Sequence, residues 1–331
     1  MNKSSPTIYG IGNPLIDIVI SVSDKELQEL ELNKGVMHLV DENRQKEIFN
    51  YFKSLTPKYS PGGSAPNTML ACSGLGINSI ISGKIGNDNF GDIYLKQVAE
   101  YGVISALIQG EGATGSSIIL VTPDGERTMN THLGMCREFS VDDIDESILS
   151  KVAYLYFTGY MWDTESQKLA IEKAIQLSKY YNVKIIFDVA DPFVVERNKE
   201  KFLSIIQNDI DILFANESEI SFLLGLDSIE DITDKLSSMI NKSAIKIGKK
   251  GSIVLEDDQK YWIKPNQIKA KDTTGAGDMY AAGFLSGLAK GLSSKESGEI
   301  GSFLAEQIIQ KFGAQFTLDR IVDLKSKIFD S

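Results

Sequence analysis

The sequence is poor in cysteine, histidine and tryptophan, with 2 of each in 331 residues. Cys72 and Cys136 lie far apart, form no C-x-x-C pair, and have only His38 and His132 as further candidate metal ligands. This excludes a disulfide framework and a cysteine–histidine zinc site. We expect both cysteines to be small buried hydrophobic residues in a reduced, cytoplasmic protein.

Positive charge and long hydrophobic runs are also scarce. The 34 Lys and Arg residues face 45 Asp and Glu residues, which gives a formal net charge of −11 and a pI near 4.9. Nucleic acids and anionic membranes are bound through a surplus of Lys and Arg, so we expect neither as a partner. No stretch approaches the roughly 18 apolar residues of a membrane span. Asn13, Pro14 and Asp17 interrupt the apolar amino-terminal segment, which is unlike a signal peptide.

The composition that remains is typical of a globular protein, with 42% hydrophobic and 24% charged residues. Short apolar runs alternate with segments whose apolar residues recur every three or four positions. The runs predicted as buried strands are 79–82, 153–157, 184–187, 210–215 and 244–247, and the helical segments include 165–181 and 229–241. This alternation predicts an α/β fold with a central, mostly parallel sheet flanked by helices.

One segment, 114–130, breaks this alternation. It contains SSIILV, the turn PDG at 123–125 and then ERTMNT, which together predict a β-hairpin. Because single cores tend to stop growing near this chain length, we expect a small second domain. The predicted domains are a small β-sheet lid at 17–40 and 113–134, and a large α/β nucleotide-binding domain at 1–16, 41–112 and 135–331.

The strongest functional signal is the glycine-rich segment KDTTGAGDMYAAGFLSGLAKG at 271–291. Its apolar spacing predicts a helix whose amino terminus carries Gly275, Ala276 and Gly277. Unpaired N–H groups, the helix dipole and the missing glycine side chains make such a terminus an anion site. Asp278 falls in the first turn, where a carboxylate commonly complements the dipole. Beside a bound phosphate it adds repulsion, so its presence needs a further reason, and activation of an attacking hydroxyl as a general base is such a reason.

Two common nucleotide-binding motifs are missing. A P-loop requires Gly-Lys followed by Ser or Thr, and neither Gly-Lys pair of this chain, at 83 and 248, is followed by either residue. The G-x-G at 10–12 lacks the third glycine of a Rossmann fingerprint. We interpret it as a turn that ends a strand.

A second glycine-rich segment is SPGGSAPNTMLACSGLG at 60–76. Its flexible backbone and small polar groups suit hydrogen bonding to a polyhydroxylated ligand, and the residues concerned are Gly62, Gly63, Ser64 and Asn67. A helix capped by Ser64, with Asn67 in its first turn, explains the same residues equally well. A third segment, GKIGNDNFGD at 83–92, is a glycine-punctuated loop after a predicted strand.

The fourth segment, NESE at 216–219, directly follows a buried strand. Ligands of open α/β sheets bind at the carboxyl ends of strands, so Asn216 and Glu219 could reach a metal–phosphate group. A capping box, with Asn216 as N-cap and Glu219 three residues later, is an equally good interpretation.

Together the four segments resemble the PfkB (ribokinase-like) family of carbohydrate and nucleoside kinases. DTTGAGD at 272–278 matches the carboxy-terminal motif of that family, and PGGSAPN with GKIGNDNFGD matches its amino-terminal motif. Over almost the whole chain the similarity is greatest to the family's adenosine kinases, in the segments IYGIGNPLIDIV, DENRQKEIF, ERTMNTHLG, ADPF, DILFANESE and GAQ.

The resemblance implies a ribokinase-like fold and transfer of the ATP γ-phosphate to the 5′-hydroxyl of a nucleoside, adenosine before others, as in purine salvage. The catalytic residues it implies are the base Asp278, the anion hole Gly275, Ala276 and Gly277, and Arg127 near the transferring phosphate. The substrate residues it implies are Asn13, Asp17, Gly62, Gly63, Ser64, Asn67, Leu133 and Tyr160. The ATP residues it implies are Asn216, Gly248, Gly251, Thr274, Gly275 and Gly277, with Glu219 and Asn216 as indirect Mg²⁺ contacts.

The implied cofactor is Mg²⁺ with ATP, and a monovalent cation such as K⁺ is a further candidate. One alternative is a sugar kinase of the same family that acts on ribose or fructose. Another is a non-catalytic nucleoside-binding regulator. The retention of Asp278 beside an intact glycine cradle, formed by Gly275, Ala276 and Gly277, argues against this alternative. Monomer and homodimer both remain open.

Overall fold

The computed structural model describes residues 7–266 and 268–330. Its strands are β1 (Ile8–Ile11), β2 (Leu15–Ser21), β3 (Met37–Leu39), β4 (Lys58–Gly62), β5 (Ser79–Gly86), β6 (Ile104–Gly110), β7 (Gly115–Val121), β8 (Arg127–His132), β9 (Tyr154–Thr158), β10 (Lys184–Asp188), β11 (Ile212–Asn216), β12 (Lys242–Lys246), β13 (Ser252–Glu256) and β14 (Gln259–Ile263). Its helices are α1 (Asp24–Glu29), α2 (Glu42–Tyr51), α3 (Ser64–Gly74), α4 (Asn89–Glu100), α5 (Glu146–Leu149), α6 (Glu165–Tyr180), α7 (Pro192–Asn208), α8 (Glu217–Leu224), α9 (Ile229–Ser237), α10 (Ala276–Ala289), α11 (Ser294–Ile308) and α12 (Leu318–Phe329).

The larger of two sheets has the strand order β14-β13-β12-β11-β10-β9-β1-β5-β6. Neighbouring strands are parallel from β12 to β6, and β13 and β14 are antiparallel at one edge. Parallel neighbours cannot be joined by a tight turn, so the chain crosses over through helices between them.

Each face of this sheet has its own hydrophobic core, because side chains alternate along a strand. In β10, Ile186 packs in the cluster that includes residues of α3 and α10, whereas Ile185 and Phe187 pack with residues of α6 and α7. Burial on both faces explains the continuous apolar runs in the sequence. The predicted α/β fold with a central, mostly parallel sheet is confirmed.

The smaller sheet has the strand order β3-β8-β7-β2-β4. The antiparallel pair β7–β8 is the hairpin predicted at 114–130, with Ser117 opposite Thr131. β2 and β3, which come from the amino-terminal part of the chain, complete the sheet beside this hairpin.

The segment around β4 departs from the predicted domain division. β4 pairs antiparallel with β2 in the smaller sheet, and α2 packs on β7 and β8, where Gln45 Nε2 donates to the Ser116 carbonyl at 2.9 Å. Both elements fall within 41–112, which we assigned to the large domain. β4 is a largely exposed edge strand with the sequence KYSPG, so it lacks the alternating apolar residues that predict a strand. β2 also begins at Leu15, before the predicted boundary at 17.

Two expectations from the composition can be compared with the structure. Cys72 and Cys136 are free and buried, as predicted, and burial raises the pKa of the Cys72 thiol to about 12. Among the residues that the structure describes, none of the helices is both long enough and apolar enough to span a bilayer.

Candidate active site

Charged or polar residues end three neighbouring parallel strands of the larger sheet. Asp188 is the last residue of β10, Asn216 of β11 and Lys246 of β12. Because the strands are parallel, these ends meet at one sheet edge, which is the usual ligand-binding edge of an open α/β sheet. Lys246 Nζ lies 3.1 Å from Asp188 Oδ2. We did not predict Asp188 or Lys246, although a charge at the end of a buried strand could have indicated both.

Helix α10 begins at Ala276, within the predicted amino terminus of Gly275, Ala276 and Gly277, and its first turn lies against Lys246. A Cβ added at Gly277 would lie 3.4 Å from Lys246 Nζ. Gly275 is the N-cap with a φ of 75°, and a Cβ there would lie 2.5 Å from a carbonyl oxygen of the segment after α11, so glycine is required. The Ala276 N–H donates to the Thr273 carbonyl at 3.2 Å. The amide of Ala276 is therefore already paired, in contrast to the free amide that the sequence predicts.

Asp278 lies in the first turn of α10, where its carboxylate accepts two side-chain hydrogen bonds. Ser64 Oγ donates to Oδ1 at 2.6 Å and Asn67 Nδ2 donates to Oδ2 at 2.8 Å. Burial raises the pKa of Asp278 to about 6, although the two hydrogen bonds lower it. The carboxylate is thus held in place by two donors, and its burial brings its pKa close to the neutral range in which a general base works.

The alternative interpretation of Ser64 as a helix cap is wrong. α3 begins at Ser64, its N-cap is Gly63 with a φ of 100°, and no side chain caps the helix. A Cβ at Gly63 would overlap the Asn13 carbonyl oxygen, which explains the glycine. The Ser64 hydroxyl is bound to Asp278 instead.

A chain of amide side chains orients Asn67. Gln315 Nε2 donates to Asn67 Oδ1 at 2.6 Å and to the Pro61 carbonyl at 2.9 Å, and Gln97 Nε2 donates to Gln315 Oε1 at 2.6 Å. Because Asn67 Oδ1 is occupied in this way, the amide nitrogen of Asn67 faces Asp278. Gln315 was not predicted as a site residue, although it belongs to the GAQ segment that carried part of the family resemblance.

Asp17 lies on β2, beside the glycine that ends β4. A Cβ added at Gly62 would lie 2.5 Å from Asp17 Oδ2, so the glycine makes room for the carboxyl group. Burial raises the pKa of Asp17 to about 7, the Arg127 charge lowers it and the Asp278 charge raises it. Asp17 is therefore within electrostatic reach of Asp278.

Arg127 is paired with an aspartate of the DTTGAGD segment. Its Nη1 lies 2.9 Å from Asp272 Oδ2, which also accepts from the Gly313 N–H at 2.9 Å. Asp272 Oδ1 accepts from the Thr274 N–H at 2.9 Å and from its hydroxyl at 2.6 Å. The pair thus ties β8 of the smaller sheet to the loop before α10. The proposed contacts of Arg127 with the transferring phosphate and of Thr274 with ATP stay predictions.

Asn216 and Glu219 form the capping box that was one of their two interpretations. Asn216 Oδ1 accepts from the Glu219 N–H at 2.8 Å, and a Glu219 carboxylate oxygen accepts from the Asn216 N–H at 2.7 Å. Glu219 is 3% exposed. Burial raises its pKa to about 7, while Lys246 lowers it and Asp188 raises it. The metal role of the pair stays a prediction.

Three further predicted residues are buried or partly buried. Asn13 Oδ1 accepts from Gln167 Nε2 at 2.6 Å. Burial raises the pKa of Tyr160, and the charges of Asp191, Glu219 and Asp278 raise it further. Leu133 is buried directly after β8. Their roles as substrate residues stay predictions.

The remaining glycine segments form turns. Gly248 and Gly251 have φ values of 58° and 97° and make the tight connection between β12 and β13, directly after Lys246. In the loop at 83–92, Asp88 caps α4 and also accepts from the Thr114 N–H at 2.8 Å and its hydroxyl at 2.6 Å. Asp88 therefore links the loop to the start of β7.

The described residues include no group of three or more His, Cys, Asp or Glu side chains that could hold a metal ion. In kinase sites Mg²⁺ is commonly bound through one or two carboxylates together with the phosphates of the substrate. The Glu219 carboxylate is a candidate for such a ligand, and Asn216 donates to both of its oxygens.

Comparison with known proteins shows the family to which the chain belongs. The model of the pfkB family of carbohydrate kinases matches residues 49–321. An uncharacterized sugar kinase of Archaeoglobus fulgidus is 31% identical over 255 residues, which cover 77% of this chain and 100% of the relative. Adenosine kinase of Saccharomyces cerevisiae is 29% identical over 332 residues, which cover 94% of this chain and 97% of the relative.

Among solved structures, adenosine kinase from Sinorhizobium meliloti has a TM-score of 0.90 and 30% identity, and the match covers 98% of this chain and 99% of that one. The fold, the glycine-flanked carboxylate and these matches lead to the same conclusion. The chain belongs to the pfkB family of carbohydrate kinases, has its ribokinase-like fold and is a phosphotransferase that acts on an alcohol group.

Proposed function

We propose that this protein transfers the γ-phosphate of ATP to the 5′-hydroxyl of adenosine, with Asp278 as the general base. The observation that carries the proposal is the Asp278 carboxylate, which Ser64 and Asn67 hold at the amino terminus of a helix that begins with glycine. The choice of adenosine is supported by relatives named adenosine kinase that match nearly the whole chain.

Proton transfer is the chemical task of Asp278. In the proposed reaction the 5′-oxygen forms a bond to phosphorus, the bond from phosphorus to the ADP oxygen breaks, and the hydroxyl proton passes to the Asp278 carboxylate. Ser64 and Asn67 keep the carboxylate in one orientation, since each donates to a different oxygen. Phosphoryl transfer needs positioning and charge stabilisation rather than covalent chemistry, and the amino terminus of α10 can stabilise negative charge.

The acceptor would lie between the two sheets. Asp17 and Asn67 have short polar side chains suited to ribose hydroxyls, and Gly62 and Gly63 would place backbone groups next to the sugar. Asn13 and Ser64 would add polar contacts on the same side, and Leu133 and Tyr160 would line the pocket for the base. The smaller sheet would cover the site and exclude water that could otherwise hydrolyse ATP.

Kinases of this family use ATP with a divalent metal. Mg²⁺, when bound, would neutralise charge on the phosphates. Glu219 and Asn216 would hold it indirectly, and a monovalent cation such as K⁺ would be a further ligand of the protein. Gly275, Gly277 and Thr274 would line the phosphates, and the turn with Gly248 and Gly251 would lie on the nucleotide side. AMP formation of this kind would serve purine salvage in the cytoplasm.

A sugar kinase is the second candidate. The observation that favours it is the match to relatives named as sugar kinases, one of which is 31% identical to this chain. Sugars have no base to stack, so this candidate would make no use of the pocket proposed for Leu133 and Tyr160.

The test is an ADP-release assay with a panel of acceptors: adenosine, guanosine, ribose and fructose. We expect kcat/KM for adenosine to exceed that for each of the others at least a hundredfold. A higher kcat/KM for a free sugar would replace the proposed function with the second candidate.

A further inference from the structure

The proposed mechanism makes no use of Lys246, a partly buried cation. Lys246 ends β12, opposite Asn216 at the end of β11, at the sheet edge that faces the amino terminus of α10. Its side chain is 17% exposed. Its ammonium group contacts both Asp188 carboxylate oxygens, at 3.1 and 3.3 Å. An ammonium group has three N–H donors, so at least one has no acceptor among the residues that the structure describes.

The free side of this ammonium group faces the glycine cradle. Lys246 Nζ is 3.4 Å from the position that a Cβ of Gly277 would take, and within the described structure no other heavy atom outside the local backbone lies within 4 Å of that position. Among the described residues, Lys246 is therefore the one side chain that lies against Gly277 in the first turn of α10. Helix N–H groups together with a neighbouring ammonium group are an arrangement by which proteins bind phosphate.

The charges around Lys246 keep it protonated. Burial alone would lower its pKa, but the carboxylates of Asp188, Glu219 and Asp278 raise it above its usual value. The same carboxylates would repel a polyphosphate. The fixed positive charge of Lys246 beside the glycine cradle would offset that repulsion where the phosphoryl group is transferred.

We propose that Lys246 binds the γ-phosphoryl group of the nucleotide and stabilises its charge during transfer, and that Asp188 holds the ammonium group in place. The phosphoryl group passes from the ADP oxygen to the acceptor oxygen and the proton passes to Asp278, while Lys246 keeps its own protons throughout. This inference rests on the proposed use of ATP but not on adenosine as the acceptor.

The test compares nucleotide binding in the double variant Lys246→Met/Asp188→Asn with that in the wild type. Removing both members of the pair avoids an unpaired buried charge, which would destabilise the protein if Lys246 alone were replaced. Calorimetry with Mg²⁺ would measure the affinity for ADP and for an ATP analogue whose β,γ-bridging oxygen is replaced by NH. We expect the analogue to bind at least tenfold more weakly and ADP to change less than threefold.

A matched control is available in Lys84 and Asp143, an ion pair with the same 3.1 Å separation and side chains 17% and 10% exposed. Lys84→Met/Asp143→Asn should bind both nucleotides as the wild type does. The single variant Lys246→Arg keeps the charge and should recover part of the preference for the analogue over ADP.

Measuring kcat distinguishes two roles of Lys246, which are binding of the phosphoryl group and neutralisation of the Asp188 charge. If Lys246 only balanced the buried carboxylate, the double variant would keep near-normal kcat, and that result would overturn the inference. Equal loss of affinity for ADP and the analogue, or no loss for either, would also overturn it. Preference for a sugar over adenosine would reject the proposed acceptor but leave these binding results unchanged, so the two failures are distinguishable.

Discussion

Replacement of Asp278 by Asn removes the proposed base with little change of shape. Asn cannot take up the acceptor proton at neutral pH, so we expect kcat to fall by about 10²–10⁴, the usual contribution of a general base. This corresponds to about 3–5 kcal/mol of activation free energy. Binding of ATP and acceptor should persist, because the variant removes one negative charge beside the phosphates.

The effect on stability follows from the contacts of the carboxylate. Asn offers one acceptor oxygen where Asp278 now accepts from both Ser64 and Asn67, and one unpaired buried donor costs about 1–3 kcal/mol. In the opposite direction, a pKa of about 6 against the usual 3.8 means that ionising Asp278 costs on the order of 3 kcal/mol in the folded protein. The two effects nearly cancel at pH 8, so Tm should change by only a few degrees.

The pH dependence of this comparison has a definite sign. A raised carboxyl pKa lowers the free energy of unfolding as the pH rises from about 4 to 6, and the cost is fully present above that range. Asp278→Asn escapes the cost, so its Tm relative to the wild type should be higher at pH 8 than at pH 5. A shift in the other direction would contradict the raised pKa.

The assay measures kcat and Tm on the same preparations, with Asp92→Asn as the matched control. Asp92 is an exposed carboxylate in the first turn of α4, so its replacement removes a dipole partner without touching the site. The control should keep normal turnover. If Asp278→Asn retained more than about a tenth of the wild-type kcat, the role of Asp278 as a base would be refuted.

Three further predictions concern the same site. The kcat of the wild type should fall as the pH is lowered through about 6, because protonated Asp278 cannot act as a base. A kcat that stays constant from pH 5 to 8 would contradict this prediction. Asp17→Ala should raise KM for the acceptor about 5- to 100-fold, since an unpaired buried partner costs about 1–3 kcal/mol, and a loss confined to KM for ATP would show that Asp17 belongs to the other subsite. Gln315→Leu should lower kcat about 5- to 30-fold and leave KM for ATP unchanged. The substitution removes the donor to Asn67 Oδ1, so the Asn67 amide that donates to Asp278 becomes less well oriented. An unchanged kcat would show that Asn67 keeps its orientation without Gln315.

Local patterns in the sequence were enough to predict part of the candidate site. Gly275 at a helix start and Asp278 in its first turn follow from composition and spacing within one short segment, and the structure has both. The hairpin of β7 and β8 also follows from two apolar runs and a turn between them. In each case the residues that decide the structure are close together in the chain.

Contacts between distant segments could not be predicted in this way. Ser64 is 214 positions from Asp278, and Asn67 is 248 positions from Gln315. A serine at a helix start is equally consistent with a cap, and only the packing of α3 against α10 decides between the two roles. The position of Lys246 at the end of a buried strand could have indicated it as a candidate, but its contacts with Asp188 and Gly277 join different elements and could not be predicted.

The acceptor is the central claim, and a competition measures it most directly. Equal concentrations of adenosine, ribose and fructose are incubated with a limiting amount of Mg²⁺-ATP, and the phosphorylated products are identified by ³¹P NMR. The account predicts that AMP, with its phosphate on the 5′-oxygen, is the dominant product. Ribose or fructose phosphate as the main product, or a nucleotide phosphorylated at another hydroxyl, would contradict it.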